Sequence, residues 1–169
     1  DPKHLSYETH QWNTEFPVKV RELDPAVEVV SIFDFSRHSG GWSSGFSSFT
    51  NATIDLNNDI TAYDTLDVYH EHACFERKNR YQKSDGSYGG CHEWDYLANL
   101  YICDENNSSS CSTEMMRWIT TYGREGQWLT DISPYLFMLN DGQERRFKYG
   151  GANRGDLTVK FLFSNWGSG

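Results

Sequence analysis

The chain has 169 residues, 15% of them aromatic, with a mean hydropathy of −0.70. That length suits one domain, because two would each have to build a core from about half of the apolar residues. The net charge is −9 and the lysines and arginines are scattered, which argues against a nucleic-acid surface, and no apolar run could span a membrane.

Stretches that resemble strands follow one another along the chain, with turn-forming residues between them. They are rich in aromatic and β-branched residues, whereas Gly, Asn, Asp and Ser mark the turns. The predicted strands cover residues 15–22, 27–35, 53–56, 66–75, 96–103, 115–122, 128–132 and 157–166. Only residues 133–139 look helical, for about two turns, with Ser133 as the cap and Pro134 in the first turn.

Eight or nine strands, long polar connections and at most one short helix predict an all-β fold. The expected architecture is an antiparallel β-sandwich of jelly-roll type. An immunoglobulin domain is the weaker alternative, because it is shorter and its disulfide joins two sheets across a longer stretch of sequence. We assign residues 27–169 to the jelly-roll domain and residues 1–26 to an N-terminal extension.

The extension is predicted to be an arm with strand character. Trp12 lies within it, and Phe16, Val18 and Val20 alternate as one face of a strand, so it is too apolar for a disordered tail. Such a segment needs a sheet edge. It either covers an edge of its own domain or adds a strand to a neighbouring molecule, and the second option would give a homo-oligomer or filament.

Four cysteines stand at positions 74, 91, 103 and 111, and neither pair has CxxC spacing. Three pairings are possible. We favour Cys74–Cys91 and Cys103–Cys111, because each bond then closes a hydrophilic loop between apolar strands. Two disulfides indicate an oxidising compartment, and therefore a secreted or cell-surface protein.

Three N-glycosylation sequons agree with export. They begin at Asn51, Asn106 and Asn107, and the last two overlap, so one glycan is the realistic maximum there. Both segments are polar and are predicted to be turns that an enzyme could reach. The sequence therefore predicts a glycoprotein.

A set of ordered motifs resembles a known family. The stretch CHEWDYLANLY at residues 91–101 is followed by RWITTYG at 117–123 and LTDI at 129–132. This order is similar to the N-terminal domain of the peptide-N-glycosidase F family, which has C-x-E-W-D-R-Y-A-N-V-Y, R-F-I-T-P-Y and E-I-D-V-T-D-F. The resemblance covers residues 27–166. It implies an eight-stranded antiparallel jelly roll and a disulfide between Cys74 and Cys91, although the loop between those cysteines is far longer here.

The same resemblance implies one catalytic candidate, Asp95. The family hydrolyses the amide that joins asparagine to its glycan, and the aspartate of its EWD motif is the principal catalytic acid, a task for a carboxylate with a tuned pKa. This chain has Tyr96 where the family has arginine, and Ser164 where a second family glutamate falls. The family cleft also lies between two jelly rolls. We therefore expect Asp95 to lack an acid–base partner and its motif to shape a disulfide-tied corner.

Two further groups of residues are binding candidates. His70 and His72 would share one face of a strand and could bind a metal with His92, but such pairs are usually ordinary strand residues, so no metal or cofactor is predicted. The second group consists of aromatic rings that could stack on sugars: Trp42 and Phe46 in a Ser/Gly-rich loop, Trp94 and Trp166. The loop rings could equally fold back as a lid on the sandwich.

Three functions remain for this chain. The favoured one is a secreted, non-catalytic structural or interaction module, with other copies of itself or glycans as partners. A carbohydrate-binding module is the second. The third is half of a peptide-N-glycosidase-type amidase that uses Asp95.

Overall fold

The structure is a computed structural model that describes residues 7–11, 24–39, 47–55, 62–91, 94–104, 109–139 and 143–165. Within these ranges the chain forms eleven strands. They are β1 (Tyr7–Gln11), β2 (Glu28–Ser39), β3 (Ser47–Ile54), β4 (Thr65–Ala73), β5 (Tyr81–Gln82), β6 (Tyr88–Gly89), β7 (Leu97–Ile102), β8 (Thr113–Ile119), β9 (Glu125–Asp131), β10 (Gln143–Gly151) and β11 (Arg154–Ser164).

Two sheets form a sandwich. One has the order β1-β9-β4-β11-β2 and the other has the order β3-β10-β7-β8, while β5 and β6 form a separate hairpin. The long strands pair as nested antiparallel partners: β2 with β11, β3 with β10, β4 with β9, and β7 with β8. A doubled chain wound across two sheets in this way is a jelly roll, so the predicted fold class is confirmed.

The core lies between the sheets and combines aliphatic side chains with large aromatic rings. Along β4, alternate residues beginning at Leu66 and Val68 face inwards, as the period of two in a strand requires. Phe147 of one sheet contacts Phe161 of the other with ring centroids 5.5 Å apart and planes at 84°. Both rings are fully buried. Large rings thus share the space between the sheets with Val, Leu and Ile side chains.

Several element boundaries differ from the predicted ones. β2 continues to Ser39 and β3 begins at Ser47, so the glycine- and serine-rich loop is shorter than expected. β10 was not predicted, because its sequence, QERRFKYGG, is mostly polar. Its Phe147 and Tyr149 nevertheless face the core and are fully buried.

The one predicted helix is a 3₁₀ helix, Ser133–Met138, and its cap was assigned wrongly. Ile132 occupies the N-cap position and Ser133 is already helical. The Ser133 hydroxyl donates to Asp131 Oδ1 and accepts a hydrogen bond from the Leu66 N–H, so it ties the helix to β4 instead. Of the helices that the structure describes, none has the length and apolarity needed to cross a bilayer.

Part of the N-terminal extension joins the sheet of its own chain. β1 pairs in parallel with β9 at the edge of the five-stranded sheet, from Tyr7 opposite Glu125 to Gln11 opposite Leu129. The predicted strand at residues 15–22 lies outside the described residues. The domain boundary after residue 26 and the pairing with a neighbouring molecule remain predictions.

The first sequon is not in a turn. Asn51 lies within β3, opposite Arg146 of β10, and β3 is an edge strand of its sheet. Thr53 of the same sequon is exposed. Asn106 and Asn107 lie outside the described residues. Glycosylation at these positions remains a prediction.

Candidate functional site

Two disulfides hold the connections on either side of β7. Cys74–Cys91 and Cys103–Cys111 are both present, as predicted. The first closes residues 75–90, called here the disulfide loop. The second closes the connection from β7 to β8. Such bonds suit an oxidising compartment.

The disulfide loop is structured along its length. It begins with a 3₁₀ turn, Phe75–Arg77, and continues into the β5–β6 hairpin, where Tyr81 lies opposite Gly89. At the hairpin tip, the Asp85 carboxylate accepts hydrogen bonds from the backbone N–H and the hydroxyl of Ser87. Local side-chain bonds of this kind favour a turn.

Backbone hydrogen bonds fasten this loop to the sandwich. The Cys74 N–H donates to the buried Glu125 carboxylate at 3.0 Å, and the Arg80 N–H donates to the Gly123 carbonyl at 3.0 Å. Arg77 bonds Glu71 at 2.7 Å. Burial raises the pKa of Glu71, but the hydrogen bond from Arg77, with those from two other side chains, lowers it overall.

A pocket of about 330 Å³ opens between the disulfide loop and the sandwich. Its lining combines aromatic rings, cationic side chains and the glycine backbone of the loop. The lining residues are Phe75, Glu76, Arg80, Lys83, Tyr88, Gly89, Gly90, Cys91, Tyr96 and Arg154. The sequence did not suggest this pocket, because Arg154 comes from β11, far along the chain.

Asp95 lies at the corner between the Cys74–Cys91 disulfide and β7, and it is exposed. The corner itself is rigid: the Tyr96 N–H donates to the Thr120 hydroxyl at 2.9 Å, and the Thr120 N–H donates to the Tyr96 carbonyl at 2.9 Å. Among the described residues, no hydrogen bond joins the Asp95 carboxylate to a second acid. The motif therefore builds a fixed corner that presents Asp95 to solvent.

Ser164, the expected position of a second acid, is at the opposite end of the sandwich from Asp95. The start of β7 lies beside the end of β10, with Ala98 opposite Gly151, and β11 leaves that end at Arg154. Ser164 is ten residues further along β11, roughly 30 Å away. It is buried, with its hydroxyl oxygen 2.6 Å from that of Thr65. An acid at position 164 would not share a site with Asp95.

Exposed apolar side chains surround the corner, and we call four of them the aromatic edge: Trp94, Leu97, Ile119 and Tyr122. The rings of Trp94 and Tyr122 meet edge to face with centroids 6.2 Å apart, and they are 52% and 60% exposed. Leu97 and Ile119 lie opposite each other on β7 and β8, and both are also exposed. Clusters of this kind mark interaction surfaces.

The structure places only some of the predicted binding residues. Trp94 is at the aromatic edge, but Trp42, Phe46, Trp166 and His92 lie outside the described residues. His70 and His72 do share a face, as predicted, and that face is the core. The described ranges contain no group of three or more His, Cys, Asp or Glu side chains that could hold a metal.

The buried histidines instead form part of an aromatic cluster. His70 stacks on Trp128 with centroids 4.9 Å apart, and its Nε2 is 3.2 Å from the Tyr149 hydroxyl. Burial, followed by the nearby His72 and His38, holds the pKa of His70 well below its ordinary value of 6.5. His38, expected in a polar loop, is buried in β2, where its Nε2 is 3.0 Å from the Gly151 carbonyl oxygen.

Fold and site together define an all-β, disulfide-bonded jelly roll with an exposed corner. No protein-family model and no curated protein matches the chain. Among solved structures, recombinant peptide:N-glycanase F (PNGase F) superposes with a TM-score of 0.59 and 20% identity, covering 82% of this chain and 42% of that one.

Two other structures give similar values. A peptide-N(4)-(N-acetyl-β-D-glucosaminyl)asparagine amidase has a TM-score of 0.59 at 20% identity, with 81% of this chain and 41% of that one covered. PNGase F from Flavobacterium meningosepticum, described as a glycosylasparaginase, has 0.57 at 19%, with the same coverage. This chain thus has a PNGase F-like fold and spans about two-fifths of those proteins' length.

Proposed function

We propose that the chain is a secreted or cell-surface glycoprotein whose PNGase F-like jelly roll serves as a non-catalytic structural or interaction module. The environment of Asp95 is the observation that carries this proposal. A hydrolytic carboxylate needs a partner acid or base and a setting that excludes water. Asp95 is exposed, and the strand segment beside the start of β7 is Gly150–Gly151, which supplies no acid.

A glycan-release assay tests the non-catalytic role. The protein is incubated with an N-glycosylated peptide, and mass spectrometry follows conversion of the glycosylated asparagine to aspartate, with PNGase F as the positive control. We expect no conversion by this chain or by Asp95→Asn. Release by the unaltered chain that disappears in Asp95→Asn would contradict the proposal.

Carbohydrate binding is the second candidate, and the aromatic edge favours it. Flat apolar ring faces stack on the C–H faces of sugars, and the exposed pair of Trp94 and Tyr122 offers such a surface. Leu97 on β7 and Ile119 on the edge strand β8 extend it. A module with this surface would bind the glycans that PNGase F-type enzymes cleave, without cleaving them.

Self-assembly through residues 1–26 is the final part of the proposal. β1 pairs with β9 of its own chain, and the same pairing made with the next copy would link molecules head to tail. We expect sedimentation velocity to show concentration-dependent assembly of the intact chain and a folded monomer after deletion of residues 1–26. If the intact protein is monomeric at high concentration, the arm only completes its own sheet.

A further inference from the structure

The pocket behind the disulfide loop concentrates positive charge in an acidic protein. Its described lining includes three cationic side chains, Arg80, Lys83 and Arg154, and one acid, Glu76. That acid is already engaged, because its carboxylate accepts a hydrogen bond from the Tyr81 hydroxyl at 2.7 Å and lies 3.5 Å from Lys78 Nζ. The chain as a whole carries a net charge of −9. The described lining is therefore locally cationic, which favours an anionic ligand.

Aromatic rings form the walls beside these cations. Phe75, Tyr88 and Tyr96 line the pocket, and Tyr88 is 53% exposed. The Arg80 guanidinium lies 3.5 Å from the centroid of the Tyr88 ring. Stacking on a ring orients the planar guanidinium, which then presents paired N–H groups suited to a carboxylate or sulfate. The ligand should accordingly combine an anionic group with an apolar ring face.

The loop is built to keep this shape. Gly90 has φ of +75°, and a side chain there would collide with the carbonyl oxygens of Lys78 and Asn79. The Cys91 N–H also bonds the Lys78 carbonyl at 3.2 Å. With the Cys74–Cys91 bond, these contacts fix the floor of the pocket. A preformed site loses little free energy to ordering when it binds.

The pocket adjoins the aromatic edge. Tyr96 lines the pocket two residues after Trp94, and the backbone of Arg80 is bonded to Gly123, which follows Tyr122. A glycan stacked along the edge could therefore place one of its units in the pocket. The volume of about 330 Å³ is at the small end of the range for ligand sites.

We propose that this pocket binds one unit of an acidic saccharide, with its carboxylate or sulfate group among Arg80, Lys83 and Arg154 and with Tyr88 holding Arg80 in place. The inference deepens the carbohydrate-binding candidate and rests on it. The loop residues Arg80, Lys83 and Tyr88 would then set which saccharide binds.

Calorimetric titration with three tetrasaccharides tests the proposal. They are a hyaluronan fragment, whose anions are carboxylates, a keratan sulfate fragment, whose anions are sulfates, and neutral chitotetraose. We expect at least one acidic fragment to bind the whole chain about tenfold more tightly than chitotetraose, with affinity falling as salt is raised. The fragment that binds identifies the anionic group.

Substitutions then locate the site. Arg80→Ala and Lys83→Ala should each weaken binding of the acidic fragment about tenfold. Tyr88→Ala should weaken it as well, because it removes the ring that orients the Arg80 guanidinium, and Tyr88→Phe should retain it because that ring remains. Lys148→Ala is the matched control, since it removes one positive charge from β10, outside the described pocket lining, and should change affinity by less than about twofold.

Two results would overturn the inference. One is that neither acidic fragment binds more tightly than chitotetraose. The other is equal weakening by Lys148→Ala and Arg80→Ala, which would mean diffuse attraction to the positive charges of the protein. If neither acidic fragment binds more tightly, the carbohydrate-binding candidate is tested separately. Chitotetraose binding that is lost in Trp94→Ala would support the aromatic edge as a sugar site and would exclude only the pocket as a site for an acidic unit.

Discussion

Acidification from about pH 7.5 to about pH 5.5 is expected to destabilise the protein, because the core contains histidines that must stay neutral. His70 is fully buried, and its Nδ1 has no hydrogen-bond partner within the described part of the chain. Its Nε2 faces the Tyr149 hydroxyl, and its ring lies against Trp128 and Trp118. A proton added to this imidazole would create a charge without solvent or a counter-ion.

The direction of the effect follows from the pKa difference between the folded and unfolded chain. Burial lowers the pKa of His70 well below its ordinary 6.5, and burial also lowers the pKa of His38, partly offset by its bond to the Gly151 carbonyl. The unfolded chain therefore binds more protons below about pH 6.5. The contribution of each histidine is complete above that pH and declines as pH falls, by up to about 1.4 kcal/mol per pH unit.

Urea denaturation at several pH values measures this loss. Glu71 and Glu114 also have lowered pKa values, from an ordinary 4.5. The stability that these two carboxylates contribute is therefore lost below this pH range and does not confound the measurement on the histidines. In His70→Gln, which cannot titrate, the free energy of unfolding should depend less steeply on pH, even if its absolute value is lower. An unchanged slope in that variant would show that His70 is not the group responsible.

Phe161→Ala is expected to lower the free energy of unfolding by about 3–5 kcal/mol. Phe161 is fully buried on β11, and its ring meets Phe147 of the facing sheet at 5.5 Å and Phe163 of its own strand at 6.4 Å. Truncation leaves a cavity between the sheets that neighbouring rings cannot fill without leaving their rotamers. This range is a large fraction of the stability of a typical domain.

Denaturant unfolding of the variant provides the measurement, and Phe137→Ala provides the control. Phe137 is 82% exposed on the 3₁₀ helix, so its truncation should change stability by less than about 0.5 kcal/mol. A midpoint shift at constant m-value would mean that stability has changed without a change in the surface exposed on unfolding. If both variants lost similar stability, the aromatic contact between the sheets would not be what holds the sandwich together.

The PNGase F-like fold and the proposed role are separate conclusions. One jelly roll can carry many sites, because the fold depends on strand pairing and core packing whereas function depends on a few exposed groups. Here the corner that carries Asp95 keeps its backbone bonds through Tyr96 and Thr120. What surrounds it is an open apolar edge and a cationic pocket, and such a surface suits recognition.

Local sequence determined the strands and their covalent ties. Alternation at Leu66 and Val68 placed β4 correctly, because one face of a strand must be buried. The polarity of the segments after Cys74 and Cys103 identified both disulfides, since loops that cannot bury apolar surface need another constraint. The motif order from residue 91 to 132 indicated the jelly roll.

Only the tertiary structure decided which distant residues meet. β10 was not predicted because its own sequence is polar. Its pairing with β3 and β7 and its packing against the facing sheet are what bury Phe147 and Tyr149. Ser164 was matched to the second family glutamate by order along the chain. Strand direction nevertheless puts Ser164 and Asp95 at opposite ends of the sandwich. The cationic pocket likewise joins the disulfide loop to Arg154, because β10 ends beside the start of β7 and β11 begins directly after β10.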